Sequence, residues 1–158
     1  MSKQYSIYLD VCCLNRPFDD SSQDRIRLEA EAVLTIYRKC RLGEWELTTS
    51  EMIEAELRQT PDHNKAESIM AALTIAKHKV VIDSGLKQRA SELVQFGIKS
   101  IDAVHVASAE AAKVDVFLTS DDRLMRTAFR NQTKLKVLVN NPVTWLMSLS
   151  SYEGDNAE

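Results

Sequence analysis

Short apolar runs alternate along the chain with longer stretches in which apolar residues recur every three or four positions. The short runs fit buried strands and the recurring stretches fit helices. Residues 5–10, YSIYLD, form the first run. Residues 24–41 read as a helix whose apolar face carries Ile26, Ala30, Val33, Tyr37 and Cys40, with Gly43 ending it. Residues 45–49 read as a short strand, and Ser50 as the N-cap of a helix carrying Met52, Ile53, Ala55, Glu56 and Leu57. Thr60 is the expected cap of the next helix, with Pro61 at its first position and its end near residue 77. Residues 79–82 give a third strand, because VVI is β-branched throughout. Asp83 or Ser84 caps a helix to about Phe96, which Gly97 stops. Ser100 caps another, with Ile101, Val104, Ala107, Ser108 and Ala111 toward the core. Residues 116–118 are a fourth strand, and Ser120 caps a helix over 121–130. Residues 136–139 are a fifth strand, and Asn141-Pro142 opens a last helix through Leu149. The polar residues 151–158 are expected to form a disordered tail.

Strands separated by helices need crossover connections. The expected fold is therefore α/β, with a mostly parallel sheet of about five strands covered on both faces. In such sheets the functional site lies outside the carboxyl ends of the strands. The length of 158 residues suits a single domain, placed at residues 1–150. The net charge of −3 gives no global attraction to nucleic acid, so any such binding needs a local basic patch. Three cysteines, two of them adjacent and none in a CxxC pair, exclude a disulfide framework and a zinc site. A reducing, cytoplasmic setting is expected, with no signal peptide and no apolar run near the roughly 18 residues of a membrane span.

Candidate chemistry comes from the acids at the strand ends. Asp10 closes IYLD, Asp83 closes VVID, and Asp121 and Asp122 follow VFLTS. Asp102 and Glu56 lie near helix starts that face the same side. Asp83 and Asp122 read as caps or solvated acids, and Asp19, Asp20 and Asp115 as loop acids. Asp10 is harder to dismiss, because Leu9, Val11, Cys12 and Cys13 surround it with apolar groups. Carboxylates gathered in one crevice repel and need a compensating cation. Oxygen donors without clustered His or Cys point to Mg²⁺ or Mn²⁺, and hence to metal-assisted phosphodiester hydrolysis.

Four segments together resemble the PIN-domain family. They are IYLDVCCLNR, LTTSEMIEAEL, SIDAVHVASAEAA and VDVFLTSDDRLM, in the family's order over about residues 5–140. The resemblance implies a three-layer α/β/α sandwich and a Mg²⁺- or Mn²⁺-dependent ribonuclease that leaves a 5′-phosphate and a 3′-hydroxyl. It carries the metal-binding, catalytic role over to Asp10, Glu56, Asp102 and Asp121, with Thr119 and Ser120 as supporting hydroxyls. Many small members are toxins of type II toxin–antitoxin pairs, and small members are often homodimers. A small antitoxin partner and a homodimer are thus implied alongside an RNA substrate. Cys12 stands where the family often has Asn or Ser, a poorer hydrogen-bonding group.

The remaining residues rank by chemistry. Cys12 and Cys13 read as packing, and His105 as a core histidine rather than a general base. Arg16, six residues past Asp10, is a candidate for binding a substrate phosphate. Arg123, Arg126 and Arg130 form a stripe at helical spacing beside Asp121, with Lys134 and Lys136 beyond; Arg123 is the second substrate-binding candidate. Arg25, Arg27, Arg38, Lys39 and Arg41 make residues 24–41 a second basic surface, suited to a partner. Two rival functions stand beside the nuclease. One is a PIN-like scaffold that binds RNA or protein without cleaving. The other is a phosphohydrolase with Asp10 as nucleophile, disfavoured because Cys12 stands where such chemistry wants a second Asp.

Overall fold

The computed structural model describes residues 3–156. Five strands are present among them: β1 Ser6–Leu9, β2 Glu46–Ser50, β3 His78–Val80, β4 Val116–Leu118 and β5 Leu138–Asn140. All pair in parallel, in the order β3-β2-β1-β4-β5. Eight α-helices join and cover them: α1 Val11–Asn15, α2 Asp24–Arg41, α3 Glu51–Arg58, α4 His63–Ala72, α5 Ser84–Gln95, α6 Ser100–Ala111, α7 Asp122–Arg130 and α8 Pro142–Asn156. This is the expected α/β/α arrangement. The chain runs outward from β1 to β3, then returns to place β4 on the other side of β1. Beside β1 the strand order reverses, so a crevice opens there above the carboxyl ends. Asp10 follows β1 and Asp121 follows β4, and the Asp10 amide donates to the Leu118 carbonyl at 2.9 Å to tie the two ends together.

The central strands are buried apart from Ser6 and Glu46 at the starts of β1 and β2. Tyr8 on β1 stacks on Phe117 of β4 with ring centroids 5.2 Å apart. At the opposite end of the sheet Tyr5, Trp45 and Trp145 pack edge to face, binding β1 and the start of β2 to α8. No helix among the described residues is long and apolar enough to cross a membrane.

Several boundaries differ from expectation, each for a local reason. Val11–Asn15 is a helix capped by Asp10, followed by a 3-10 turn at Arg16–Phe18, where a loop was expected. Five residues are too few to show a helical period. Asp62, not Thr60, caps α4, and a 3-10 turn at Leu73–Ile75 ends it early. Ser100 is the first residue of α6, after Lys99 as an N-cap with no side-chain bond. Asp121, not Ser120, caps α7, accepting from the amides of Arg123 and Leu124. Asp83 does cap α5. Ile101, expected in the core, is 52% exposed, because α6 buries Ala103, His105 and Val106 instead. Helix α8 extends past Leu149 to Asn156; residues 157 and 158, the end of the expected tail, lie outside the described residues.

Candidate metal centre

Asp10 is the best-anchored acid of the crevice. Its carboxylate is 6% exposed and accepts from the Val11 amide at 2.8 Å, the Thr119 hydroxyl at 2.9 Å and the Cys12 thiol at 3.3 Å. Thr119 in turn accepts from the Asp121 amide at 3.1 Å. One buried hydroxyl therefore sets the spacing between the ends of β1 and β4. Ser120 acts through its backbone: its amide donates to the Cys12 sulfur at 3.3 Å, and its carbonyl accepts from Arg25.

The cysteine pair divides by position. Cys13 is buried against the Leu118 carbonyl, and burial pushes its thiol well up, so it is inert packing. Cys12 is not merely packing. Its sulfur touches Asp10, Thr119 and Ser120, and occupies the polar position beside the leading acid with weaker, sulfur-mediated bonds.

Glu56 reaches the crevice from α3 and bonds Nε2 of His105. His105 is fully buried on α6, and its Nδ1 lies 2.6 Å from the Tyr8 hydroxyl, which also meets Ser50 Oγ at 2.7 Å. Burial raises the Tyr8 phenol far above its ordinary value, so it stays a donor. The Tyr8 hydroxyl and the Glu56 carboxylate thus hold the two ring nitrogens of His105, Nδ1 and Nε2. His105 thus aims Glu56 into the site. Ligand atoms of Asp10, Glu56 and His105 lie within 4.8 Å of one another. Tyr8→Phe should leave Nδ1 buried without its partner and lower unfolding stability by about 1–2 kcal/mol in urea titration. A stability equal to that of the parent protein would contradict this bonding scheme.

Asp102, on the first turn of α6, completes the group. Burial first, then the charges of Asp10 and Asp121 and more weakly Glu56, push its carboxyl up to about 6, against the pull of His105. Asp10, Asp121 and Glu56 therefore all act on Asp102, although Asp102 and Asp121 stand outside the tightest three-residue group. Asp102 and Asp121 line a small cleft with Lys99, Arg123 and Thr127. Asp122 faces away and is held by Arg25 through two 2.8 Å bonds, which separates the roles of the two adjacent acids.

Among the described residues no lysine or arginine forms an ion pair with Asp10, Asp102 or Asp121. An uncompensated set of oxygen donors fits a hard divalent cation. A raised Asp102 pKa has a definite sign. The folded state takes up a proton that the unfolded chain releases between about pH 4 and 6, so this group lowers stability as pH rises through that window. Asp102→Asn should raise the stability of the metal-free protein above pH 6 by about 1–2 kcal/mol after solvent screening, and change it little below pH 4. Thermal unfolding in chelator at both pH values checks this.

Two sequence expectations need revision. The Arg16 guanidinium is held by Glu29 at 2.9 Å and Asp19 at 2.9 Å rather than reaching into the crevice. Of the basic surface expected on α2, Arg25 is paired with Asp122 and Glu29, Arg27 with Asp24 and Lys39 with Glu44, while Arg38 and Arg41 form no ion pair among the described residues.

The PIN domain family profile matches residues 7–130. The chain belongs to the PIN domain family. Its match runs from the first residues of β1 to the end of α7, and so contains all four acids, Thr119, His105 and Tyr8. Among solved structures, VapBC2 from Rickettsia felis bound to a DNA fragment from their promoter is similar in fold. The TM-score is 0.51 at 11% identity, over 86% of this chain and 98% of that one. No curated protein matches the chain in sequence.

Proposed function

We propose that this PIN-domain protein is a divalent-metal-dependent endoribonuclease in which Asp10, Glu56, Asp102 and Asp121 hold Mg²⁺ or Mn²⁺. The observation that carries the reading is the group of carboxylates acting on Asp102, with no lysine or arginine ion pair to Asp10, Asp102 or Asp121 among the described residues, in the crevice beside β1. Such an ion, when bound, polarises a phosphodiester and makes water a better nucleophile near neutral pH. The chain's own residues arrange the ligands. Val11, Thr119 and Cys12 fix the Asp10 carboxylate, and His105, backed by Tyr8, fixes Glu56. The α7 amides of Arg123 and Leu124 hold one Asp121 oxygen. Lys99 and Arg123 flank Asp102 and Asp121, where they would take a substrate phosphate. Arg16 instead braces the turn after α1.

The fold shared with a chain of VapBC2 supports a place in a toxin–antitoxin pair, with this chain as the toxin bound by a small antitoxin and paired as a homodimer. Purified full-length protein should cleave single-stranded RNA with Mn²⁺ and leave it intact in chelator. No cleavage with either Mn²⁺ or Mg²⁺ would favour the non-cleaving scaffold. Growth arrest on expression, relieved by the product of an adjacent small reading frame, tests the toxin role.

A further inference from the structure

We propose that the cleft between α7 and β5 is a second nucleic-acid subsite that takes an unpaired base of the substrate, with Phe129 as its stacking surface. This rests on the ribonuclease reading and adds a site that reading does not need. The cleft has a volume of about 380 Å³ and is lined by Phe129, Gln132, Leu135, Lys136 and Leu138 among others. That lies within the range of small-molecule pockets. Phe129 is 70% exposed and Leu138 is 55% exposed, so apolar surface is presented to solvent beside β5, an edge strand of the sheet.

Charge identifies the occupant. At 100° per residue, Arg123, Arg126, Arg130 and Phe129 share one exposed arc of α7, while Leu124, Thr127 and Ala128 are buried on the other. Arg16, Arg25, Arg27, Arg58 and Arg89 all contact carboxylates. Among the described residues the side chains of Arg123, Arg126, Arg130 and Lys136 form no ion pair, as also holds for Arg38 and Arg41 on α2, and their nearest side-chain bond is a 3.4 Å contact from Arg130 to Thr127. This acidic protein thus presents a run of unpaired cations beside an exposed ring and a cleft of mixed polar and apolar lining. A positive track interleaved with an aromatic surface suits a single strand, whose phosphates meet the cations while a base stacks. The track also leads to the reacting centre. Arg123 lines the cleft shared by Asp102 and Asp121, and Phe129 lies less than two helical turns further, roughly 9 Å along the axis. A strand held at the carboxylates would therefore reach Phe129 a few nucleotides away.

Fluorescence anisotropy of fluorescein-labelled single-stranded oligoadenylate, in chelator to prevent cleavage, tests the proposal. Phe129→Ala should weaken binding about tenfold or more, and Phe129→Trp should retain it. A fully paired duplex of the same length should show little difference between the variants, because its bases cannot turn out. Circular dichroism confirms folding, which an exposed side chain should not affect. Equal affinity of Phe129→Ala and the parent protein for the single strand would overturn the proposal, even if the parent cleaves RNA with Mn²⁺. Failure of the parent to bind or cleave RNA would overturn the nuclease reading with it. Self-association by sedimentation velocity that disappears in Phe129→Ala would assign the cleft to a second copy of the chain and overturn the base-binding role.

Discussion

Asp10→Asn should give a folded protein whose Mn²⁺-dependent RNA cleavage is at least about 100-fold slower than that of the parent. The substitution is nearly isosteric, and the amide oxygen can still accept from the Val11 amide that Asp10 caps. What it removes is a charge at the best-anchored position of the crevice, where Thr119 and Cys12 also converge. Changing a residue that merely supports a metal ligand costs ~10–100-fold, so losing a ligand's charge should cost at least the upper figure. Stability should move the other way. Asp10 is the foremost charge raising Asp102, so its neutralisation relieves repulsion in the metal-free protein. Unimpaired cleavage by Asp10→Asn would show that the chemistry does not run through this crevice.

Glu29→Ala should be among the most destabilising single changes outside the apolar core, by about 2–4 kcal/mol. Glu29 is 1% exposed on α2, yet it receives Arg16 at 2.9 Å, Arg25 at 3.4 Å and the Asn141 amide at 2.6 Å. It therefore joins the turn after α1, the start of α7 through Arg25 and Asp122, and the end of β5. Removing one partner of a buried ion pair costs ~3–5 kcal/mol. The lower figure applies here because Arg25 is half exposed and can be hydrated. A loss of this size should lower the melting temperature by roughly 5–15 °C. Glu29→Gln, which keeps an acceptor for Asn141, should fall less. A melting temperature within a degree or two of the parent for Glu29→Ala would mean the hub is not formed in solution.

The elements that periodicity reveals were legible in the sequence. The sheet runs β1 and β4 came out within a residue or so because they are short apolar runs, and β2, ELTTS, did so because it lies between Trp45 and the Ser50 cap of α3. The four acids were legible as types near strand ends and helix starts, and the parallel sheet explains why Asp10 and Asp121 follow neighbouring strands. Hidden were contacts that join residues distant in sequence. Glu29 reads as a surface charge until Asn141, 112 positions away, is brought to it. His105 reads as core until Glu56, 49 positions away, meets it. A visible signal was available for His105, a lone imidazole one turn after Asp102 on an otherwise apolar helix. Helix α1 was hidden for another reason. It is shorter than two turns, and its cap is the acid that also ends the strand.

The central claim is that the crevice acids hold a divalent cation. Titration of the full chain with Mn²⁺, followed by electron paramagnetic resonance of the free ion, measures this directly. The account predicts saturable binding that Asp10→Asn and Asp121→Asn each weaken at least about tenfold. Mn²⁺ binding of equal strength in the parent and both variants, or no saturable binding in the parent, would contradict it.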